Sequence, residues 1–215
     1  MSKIFFIGGL GLDSKLVSDI SIKKHDLFFI DWFIPEFNES LTSYAKRIVS
    51  KYTITNESMI VAVSFGVVLA KEISKIVEIK KIVLISSFDN LNEIPLLFRL
   101  AIKLKLYCFL PPRTLSRFSF VLNFFFSITN VSDASILRDV INKTDPIFFK
   151  WAIQNILHFT SIDNRTQLIR IHGDKDRILP KGLTKSNYII KNGGHFMIYD
   201  KKNIVNKTLE EIFRS

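Results

Sequence analysis

The sequence predicts an α/β fold: a mostly parallel central sheet with helices on both faces and a block of helices inserted into it. Three observations carry this reading. Apolar runs of strand length alternate with segments whose apolar residues recur at helical spacing, as a parallel sheet with crossover helices requires. The alternation fails once, between residues 88 and 165, where helical patterns follow one another with no convincing strand between them. Glycine-rich turns, Gly8-Gly9-Leu10-Gly11 and Gly193-Gly194, come after the first and last of the apolar runs.

Taken in order, strands are expected at residues 3–7, 26–30, 58–63, 81–86, 167–172 and 186–190. The first, beginning after Met1-Ser2, is too short for a signal peptide and is followed by no small-residue cleavage site, so it reads as a buried strand. A helix over 41–52 follows Asn38-Glu39-Ser40, a capping sequence, and a second over 65–77 leaves the third strand without a linker. An amphipathic helix over 203–213 closes the chain. Pro95, Pro111-Pro112 and Pro146 divide the insertion into about four helices. Its apolar residues are heavily aromatic, from Phe98, Tyr107 and Phe109 through Phe118, Phe120, Phe124, Phe125 and Phe126 to Phe148, Phe149, Trp151 and Phe159. These rings either fill the insertion's own core or line an apolar cleft over the carboxyl ends of the strands.

Length fits one domain, with residues 1–87 and 166–215 forming the core and 88–165 the insertion. A mean hydropathy of +0.22 and 20 phenylalanines are high for a chain with 23% charged residues. The longest apolar stretches, 96–110 and 118–128, are broken by Arg99, Lys103 and Lys105 or fall short of the ~20 residues of a membrane-spanning helix. No transmembrane segment is expected. The single cysteine, Cys108, excludes an internal disulfide and fits a reducing, cytoplasmic location; it reads as a buried apolar residue. The net charge of +10 raises the question of an anionic partner, but lysines are dispersed and no basic run interleaved with aromatics or zinc-ligand spacing appears. Nucleic acid is not expected as a partner, and His25 and His158 lack the spacing of a metal site.

Three distant segments supply chemistry: Ala62-Val63-Ser64-Phe65-Gly66, His172-Gly173-Asp174-Lys175-Asp176 and Gly193-Gly194-His195. A serine hydroxyl is a feeble nucleophile and needs a base within hydrogen-bond reach, and the base needs an acid to fix its tautomer. Ser64 stands where a buried strand turns sharply into a helix, which lifts its side chain above the sheet and aims a helix amino terminus at it. Asp176 and His195 lie on loops after the next two strands, where catalytic groups of open parallel sheets collect. Their order, nucleophile, acid, base, is that of strand-to-helix serine hydrolases. After the first strand, Gly8-Gly9-Leu10-Gly11 frees backbone N–H groups to face a developing oxyanion, and the two donors are assigned to Leu10 and Phe65. That turn does not match a dinucleotide-binding Gly-x-Gly-x-x-Gly, for which Asp31 is the only acidic partner in range.

On these motifs, with Ile171-His172-Gly173-Asp174-Lys175-Asp176-Arg177-Ile178-Leu179-Pro180 and Gly193-Gly194-His195-Phe196, the chain resembles the α/β-hydrolase family over nearly its full length. The resemblance is to a compact member that starts at the strand carrying the oxyanion loop. It implies a helical cap inserted after the strand at 81–86, with Asp176 in the acid position and Asp174 as a turn residue or loop brace. Two departures stand out. Ala62 replaces the first glycine of Gly-x-Ser-x-Gly, and Gly8 replaces the histidine often found in the oxyanion loop. His172 is expected to brace the acid loop, and Trp32 to pack either under the cleft or in the core.

The expected activity is a cofactor-independent hydrolase of a carboxylic ester or thioester, free or carrier-bound, working through an acyl-enzyme on Ser64. Acyl transfer or lyase chemistry on the same scaffold, and a catalytically idle protein using its basic, aromatic cap to bind an acidic partner or membrane, remain the other readings. Oligomeric state is left open by the sequence.

Overall fold

The structure, a computed structural model, describes residues 3–162 and 165–214. Met1 and Ser2 before the first strand, and residues 163–164 near the expected end of the insertion, lie outside the described residues. Strands β1 (Lys3–Ile7), β2 (Asp26–Ile30), β3 (Met59–Val63), β4 (Lys81–Ile85), β5 (Gln167–Gly173) and β6 (Tyr188–Ile190) form one sheet. Their order is β2-β1-β3-β4-β5-β6, and every neighbouring pair is parallel.

The alternation of side chains along each strand divides the core in two. Phe5, Ile7, Ile60, Ala62, Ile82 and Leu84 face one way and pack with α1 (Leu41–Tyr52) and α2 (Gly66–Ile76). Ile4, Phe6, Val61, Val63, Val83 and Ile85 face the other and meet Val205, Leu209 and Ile212 of the carboxyl-terminal helix. Helix α1 starts where Ser40 Oγ accepts a hydrogen bond from the Ser43 N–H, 3.1 Å away, which confirms the cap read from the sequence. Helix α2 begins one residue later than expected, because the backbone of Ser64 is left-handed (φ 50°) and Phe65 still belongs to the turn.

Between β4 and β5 stand α3 (Leu96–Lys103), α4 (Pro112–Leu115), α5 (Ser119–Phe126), α6 (Val131–Lys143) and α7 (Pro146–Ile156). The described residues thus form five helices here rather than the four expected. Pro112 opens α4 as a separate turn, and Ser127 (φ 59°) ends α5 before Asn130 caps α6 by accepting the Asp133 N–H. Helices α8 (Met197–Asp200) and α9 (Lys202–Arg214) complete the chain. No single helix among the described residues is long and apolar enough to cross a membrane; α5 and α6 reach that length only jointly and are bent by 106° at their break.

Strand order reverses at β1, with β2 on one side and β3 on the other, so the carboxyl ends of β1 and β3 border the crevice where ligands of such sheets bind. Gly8-Gly9-Leu10 leaves β1 at that point, and Ser64 leaves β3.

Candidate active site

The turn at Ser64 is held from three directions. Its N–H donates to the Ile85 carbonyl at 3.0 Å, its carbonyl accepts from Ser87 Oγ at 2.7 Å, and Val67 N–H closes the first helical turn onto the same carbonyl at 3.3 Å. A left-handed conformation in a residue with a Cβ is costly and persists only where the surroundings enforce it. Gly66 permits the close approach: a Cβ there would lie 2.6 Å from the Ile7 carbonyl oxygen and 3.0 Å from that of Gly8. Ala62, where a glycine is usual, is fully buried between Ile7 of β1 and Leu84 of β4, and its methyl group is accommodated in the first core layer.

Ser64 Oγ lies 2.8 Å from His195 Nε2, and His195 Nδ1 lies 2.8 Å from Asp176 Oδ2. The structure therefore brings together the three residues singled out from sequence, with Ser64 more than a hundred positions from the other two. Since a carboxylate only accepts, Nδ1 carries the proton and Nε2 is left to accept from the serine hydroxyl. Asp176 is 4% exposed, and its second oxygen accepts the N–H groups of Ile178 (3.0 Å) and Leu179 (2.8 Å). Burial alone pushes this carboxyl up, yet His195 beside it and the Leu179 amide hold it below the usual aspartate range. It stays ionised.

His172 sits beneath the same carboxylate, with Nε2 3.5 Å from Asp176 Oδ2 and 2.7 Å from the Leu179 carbonyl. A carbonyl cannot donate, so the proton is on Nε2. Burial drives its pKa down and keeps the ring neutral. His172 thus ties the two ends of the acid loop together, in the bracing position anticipated for it. Asp174, the other carboxylate of this loop, makes its backbone bond to Ile190 and shows no hydrogen bond to His195. The loops carrying Asp176 and His195 touch along bare backbone: a Cβ on Gly173 would lie 2.2 Å from the Gly193 oxygen, and Lys175 N–H donates to that oxygen at 2.9 Å.

Above Ser64 runs the glycine turn from β1. A Cβ on Gly9 would come within 3.3 Å of the Ser64 Cβ, so the two turns are in van der Waals contact. The Gly9 carbonyl accepts from Leu12 N–H (3.1 Å) and from Trp32 Nε1 (3.1 Å). In a trans peptide the carbonyl and the following N–H point in opposite directions, so fixing the Gly9 oxygen fixes the Leu10 N–H. Neither the Leu10 nor the Phe65 N–H donates to another group among the described residues, and both residues border the same cavity as Ser64. Of the two places open to Trp32 it takes the core, its ring packing on Phe65 (5.5 Å) and Phe148 (5.1 Å), and its N–H in addition orients the turn.

A cavity of about 410 Å³ opens over Ser64 and His195. Its wall is almost wholly apolar and is drawn from both parts of the chain, with Val63, Phe65 and Ile178 from the core and Phe98, Leu122 and Phe125 from the insertion. The aromatic residues of the insertion sort into three groups. Phe98, Tyr107, Phe125, Phe126 and Phe149 border the cavity, and Phe148 and Phe159 are core. Phe109, Phe118, Phe120 and Phe124 are exposed. Trp151 packs on Tyr44 at 4.6 Å and donates to the Glu39 carbonyl.

Some features escaped the sequence reading. Ser87, which braces the Ser64 carbonyl, was detectable only as a hydroxyl at the end of the strand beside β3. Arg170 makes a bidentate pair with Glu93, 77 residues away, and also reaches the Ser87 carbonyl; neither residue carries a motif. Cys108 is exposed, contrary to expectation, because Tyr107 is the residue that its short 3-10 turn turns inward. His25 hydrogen-bonds the Phe213 carbonyl and packs on that ring. No group of three or more His, Cys, Asp or Glu placed to hold a metal ion occurs among the described residues.

No protein-family model matches the sequence, and no curated protein matches it significantly. Solved structures do match. A hydrolase from Oleispira antarctica superposes with a TM-score of 0.76 at 15% identity, covering 100% of this chain and 92% of its own. A thermophilic esterase from Thermogutta terrifontis gives 0.75 at 12% identity, covering 100% and 90%. A bromoperoxidase from Bacillus anthracis gives 0.69 at 16% identity, covering 100% and 92%. At such identities the likeness speaks for architecture, and the chain has the α/β-hydrolase fold.

Proposed function

We propose that this chain is a serine hydrolase that cleaves a carboxylic ester or thioester of an apolar acyl group through an acyl-enzyme on Ser64. The observation that carries this reading is the unbroken row Ser64–His195–Asp176, with both bonds at 2.8 Å, at the floor of an apolar cavity. His195 Nε2 takes the hydroxyl proton as Ser64 Oγ attacks the acyl carbon, and Asp176 stabilises the imidazolium without itself being protonated. The Leu10 and Phe65 N–H groups receive the oxyanion, where donors fixed in advance are worth most. His195 then protonates the departing alkoxide or thiolate. Water, deprotonated by the same nitrogen, attacks the acyl-enzyme and releases the acid and free Ser64.

Hydrolase and esterase neighbours support the reading at the level of fold, and the cavity supports the acyl group. Burying a methylene is worth ~0.8 kcal/mol, so kcat/KM should rise roughly fourfold per added methylene until the cavity is full. The test is a series of acyl esters and thioesters together with labelling by a fluorophosphonate. Labelling that is lost in Ser64→Ala, and a rising chain-length profile that Phe125→Ala shifts but the outward Phe124→Ala does not, are the expected results. A protein that neither labels nor turns over any member of the series overturns the hydrolase reading, and a flat profile removes the acyl cleft.

A further inference from the structure

The insertion presents more apolar surface to solvent than a folded chain ordinarily leaves there. Twelve of the nineteen large hydrophobic side chains exposed among the described residues lie between Leu96 and Val131, about a sixth of the chain. Leu97 is 73% exposed, Phe109 79% and Phe120 84%. Helix α5, Ser-Phe-Val-Leu-Asn-Phe-Phe-Phe, is apolar nearly all round, yet none of its residues is buried, and the same holds for α3. A helix with that pattern is normally enclosed on every side.

Only one side of each is accounted for within the molecule. Phe98 of α3 and Phe125 of α5 meet edge to face at 5.3 Å, and both border the cavity. The opposite sides carry Leu97, Leu100 and Phe120 outward, whereas the half-exposed Phe124 is met by the Arg177 guanidinium, 4.3 Å from its ring.

Charge identifies what covers them. From Leu96 to Ser132 the sequence holds Arg99, Lys103, Lys105, Arg113 and Arg117 and not one Asp or Glu. Pairing this face with itself across a two-fold axis would set the exposed Lys103, Lys105, Arg113 and Arg117 against four more cations, which disfavours a second copy and favours an anionic partner. At 1.5 Å rise per residue, eight-residue helices span ~12 Å, far less than the ~30 Å hydrocarbon layer. Such elements lie in a bilayer interface rather than cross it.

We propose that the outer face of α3, α4 and α5 docks on an anionic lipid surface. Phe109, Phe120 and Leu97 enter the boundary between headgroups and acyl chains while Lys103, Lys105, Arg113 and Arg117 meet headgroup phosphates. The docked face is the reverse side of the wall of the apolar cavity, so the molecule would sit with that cavity against the lipid. The inference concerns binding and stands apart from the chemistry at Ser64.

The full-length protein is tested by co-sedimentation with vesicles of phosphatidylcholine and phosphatidylglycerol in equal parts, and with phosphatidylcholine alone. Binding is expected to the mixed vesicles and to be weak on the neutral ones. It should be equal in Ser64→Ala, which separates docking from catalysis. The double variant Phe109→Ser/Phe120→Ser should remain in the supernatant while keeping the wild-type melting profile. Lys103→Gln and Arg117→Gln should each weaken binding about fivefold, the equivalent of ~1 kcal/mol per basic residue at an anionic surface. Phe120→Trp gives an independent reading: the emission of the added indole should shift to the blue on mixed vesicles. No binding to mixed vesicles, or binding unchanged in the double variant, overturns the proposal. So does a dimer in sedimentation velocity that the double variant dissociates while vesicles remain unbound, which would make this face a self-interface.

Discussion

Replacing Asp176 by Asn tests the site through one hydrogen atom. Asp176 Oδ1 accepts two backbone N–H groups, from Ile178 at 3.0 Å and Leu179 at 2.8 Å, while Oδ2 faces His195 Nδ1 at 2.8 Å. An asparagine in this place must turn its oxygen to the two amides, because its NH₂ would otherwise confront both donors. The NH₂ then points at Nδ1, which must give up its proton to accept. That proton moves to Nε2, and the nitrogen facing Ser64 Oγ becomes a donor with nothing to offer the hydroxyl as a base. Loss of a tautomer-fixing acid costs ~10⁴ in kcat, or about 5.5 kcal/mol at 1.36 kcal/mol per tenfold change. The loss should fall on kcat, with KM little altered, since Asp176 is not among the residues bordering the cavity. Steady-state kinetics on the best ester of the series reads both parameters. Asp174→Asn is the control: it belongs to the same loop but forms no bond to His195, so its effect should stay within a few-fold. A loss below about tenfold in Asp176→Asn, or a larger one in Asp174→Asn, refutes the assignment of the acid.

Three further expectations rest on separate parts of the site. Ser64→Ala and Ser64→Gly both remove the hydroxyl, but only glycine relieves the left-handed backbone (φ 50°). Relief of about 1.5 kcal/mol, less about 0.75 for glycine's extra chain entropy, should leave Ser64→Gly melting about 1.5–3 °C above Ser64→Ala; equal or reversed melting points would remove the strain. Trp32→Phe deletes one of two donors to the Gly9 carbonyl and should lower kcat by about tenfold with little change in KM, the scale of a single hydrogen bond; unaltered kcat would deny Trp32 its role in orienting the Leu10 N–H. His172 is held neutral by burial, its folded pKa lying below the ordinary value of about 6.5. The unfolded chain therefore binds the extra proton first, and stability contributed by this residue is present above about pH 6.5 and falls away as pH drops toward the depressed value. Melting curves from about pH 7 to about pH 5 should slope less in His172→Gln than in the wild type, and parallel curves would contradict the linkage.

What could be read from the sequence was governed by period and order. Strands β1 and β2 and helix α1 occur at the expected residues because alternation and the Ser40 cap are local signals. The edge strand β6 starts two residues late, at Tyr188, because Asn187 exchanges bonds with the Arg170 backbone through both its N–H and its side chain before regular pairing begins. Ser64, Asp176 and His195 were legible because each follows a strand and only one edge of a parallel sheet can receive all three. Their supporting partners were not. Ser87 to Ser64, Trp32 to Gly9 and Arg170 to Glu93 are choices made by register across the sheet and by how the insertion settles, and no spacing announces them. Among the described residues the insertion holds one helix more than its prolines announce, for a related reason. Prolines mark helix starts, whereas the break between α5 and α6 is made by the left-handed Ser127, a residue type with no strong preference for that conformation.

The insertion is fastened to the rest of the molecule near its start, in its middle and near its end. Near its start, Glu93 is locked to Arg170 of β5; near its end, the Trp151 indole is tied to the Glu39 carbonyl at 2.7 Å. In the middle, Ser127 Oγ donates to the Lys175 carbonyl, and a Cβ on Gly194 would lie 2.5 Å from the Phe126 oxygen, so the end of α5 rests on the very loop that carries His195. A rigid swing of the whole block would break a buried ion pair, at about 3–5 kcal/mol when one charge is left behind, and would pull on the His195 loop at the same time. The stretch from Lys105 to Phe118, by contrast, makes only local hydrogen bonds among the described residues. Tyr107, Pro112 and Leu115 of this stretch border the cavity, so it is a part of the wall whose hydrogen bonds hold neither the Asp176 loop nor the His195 loop.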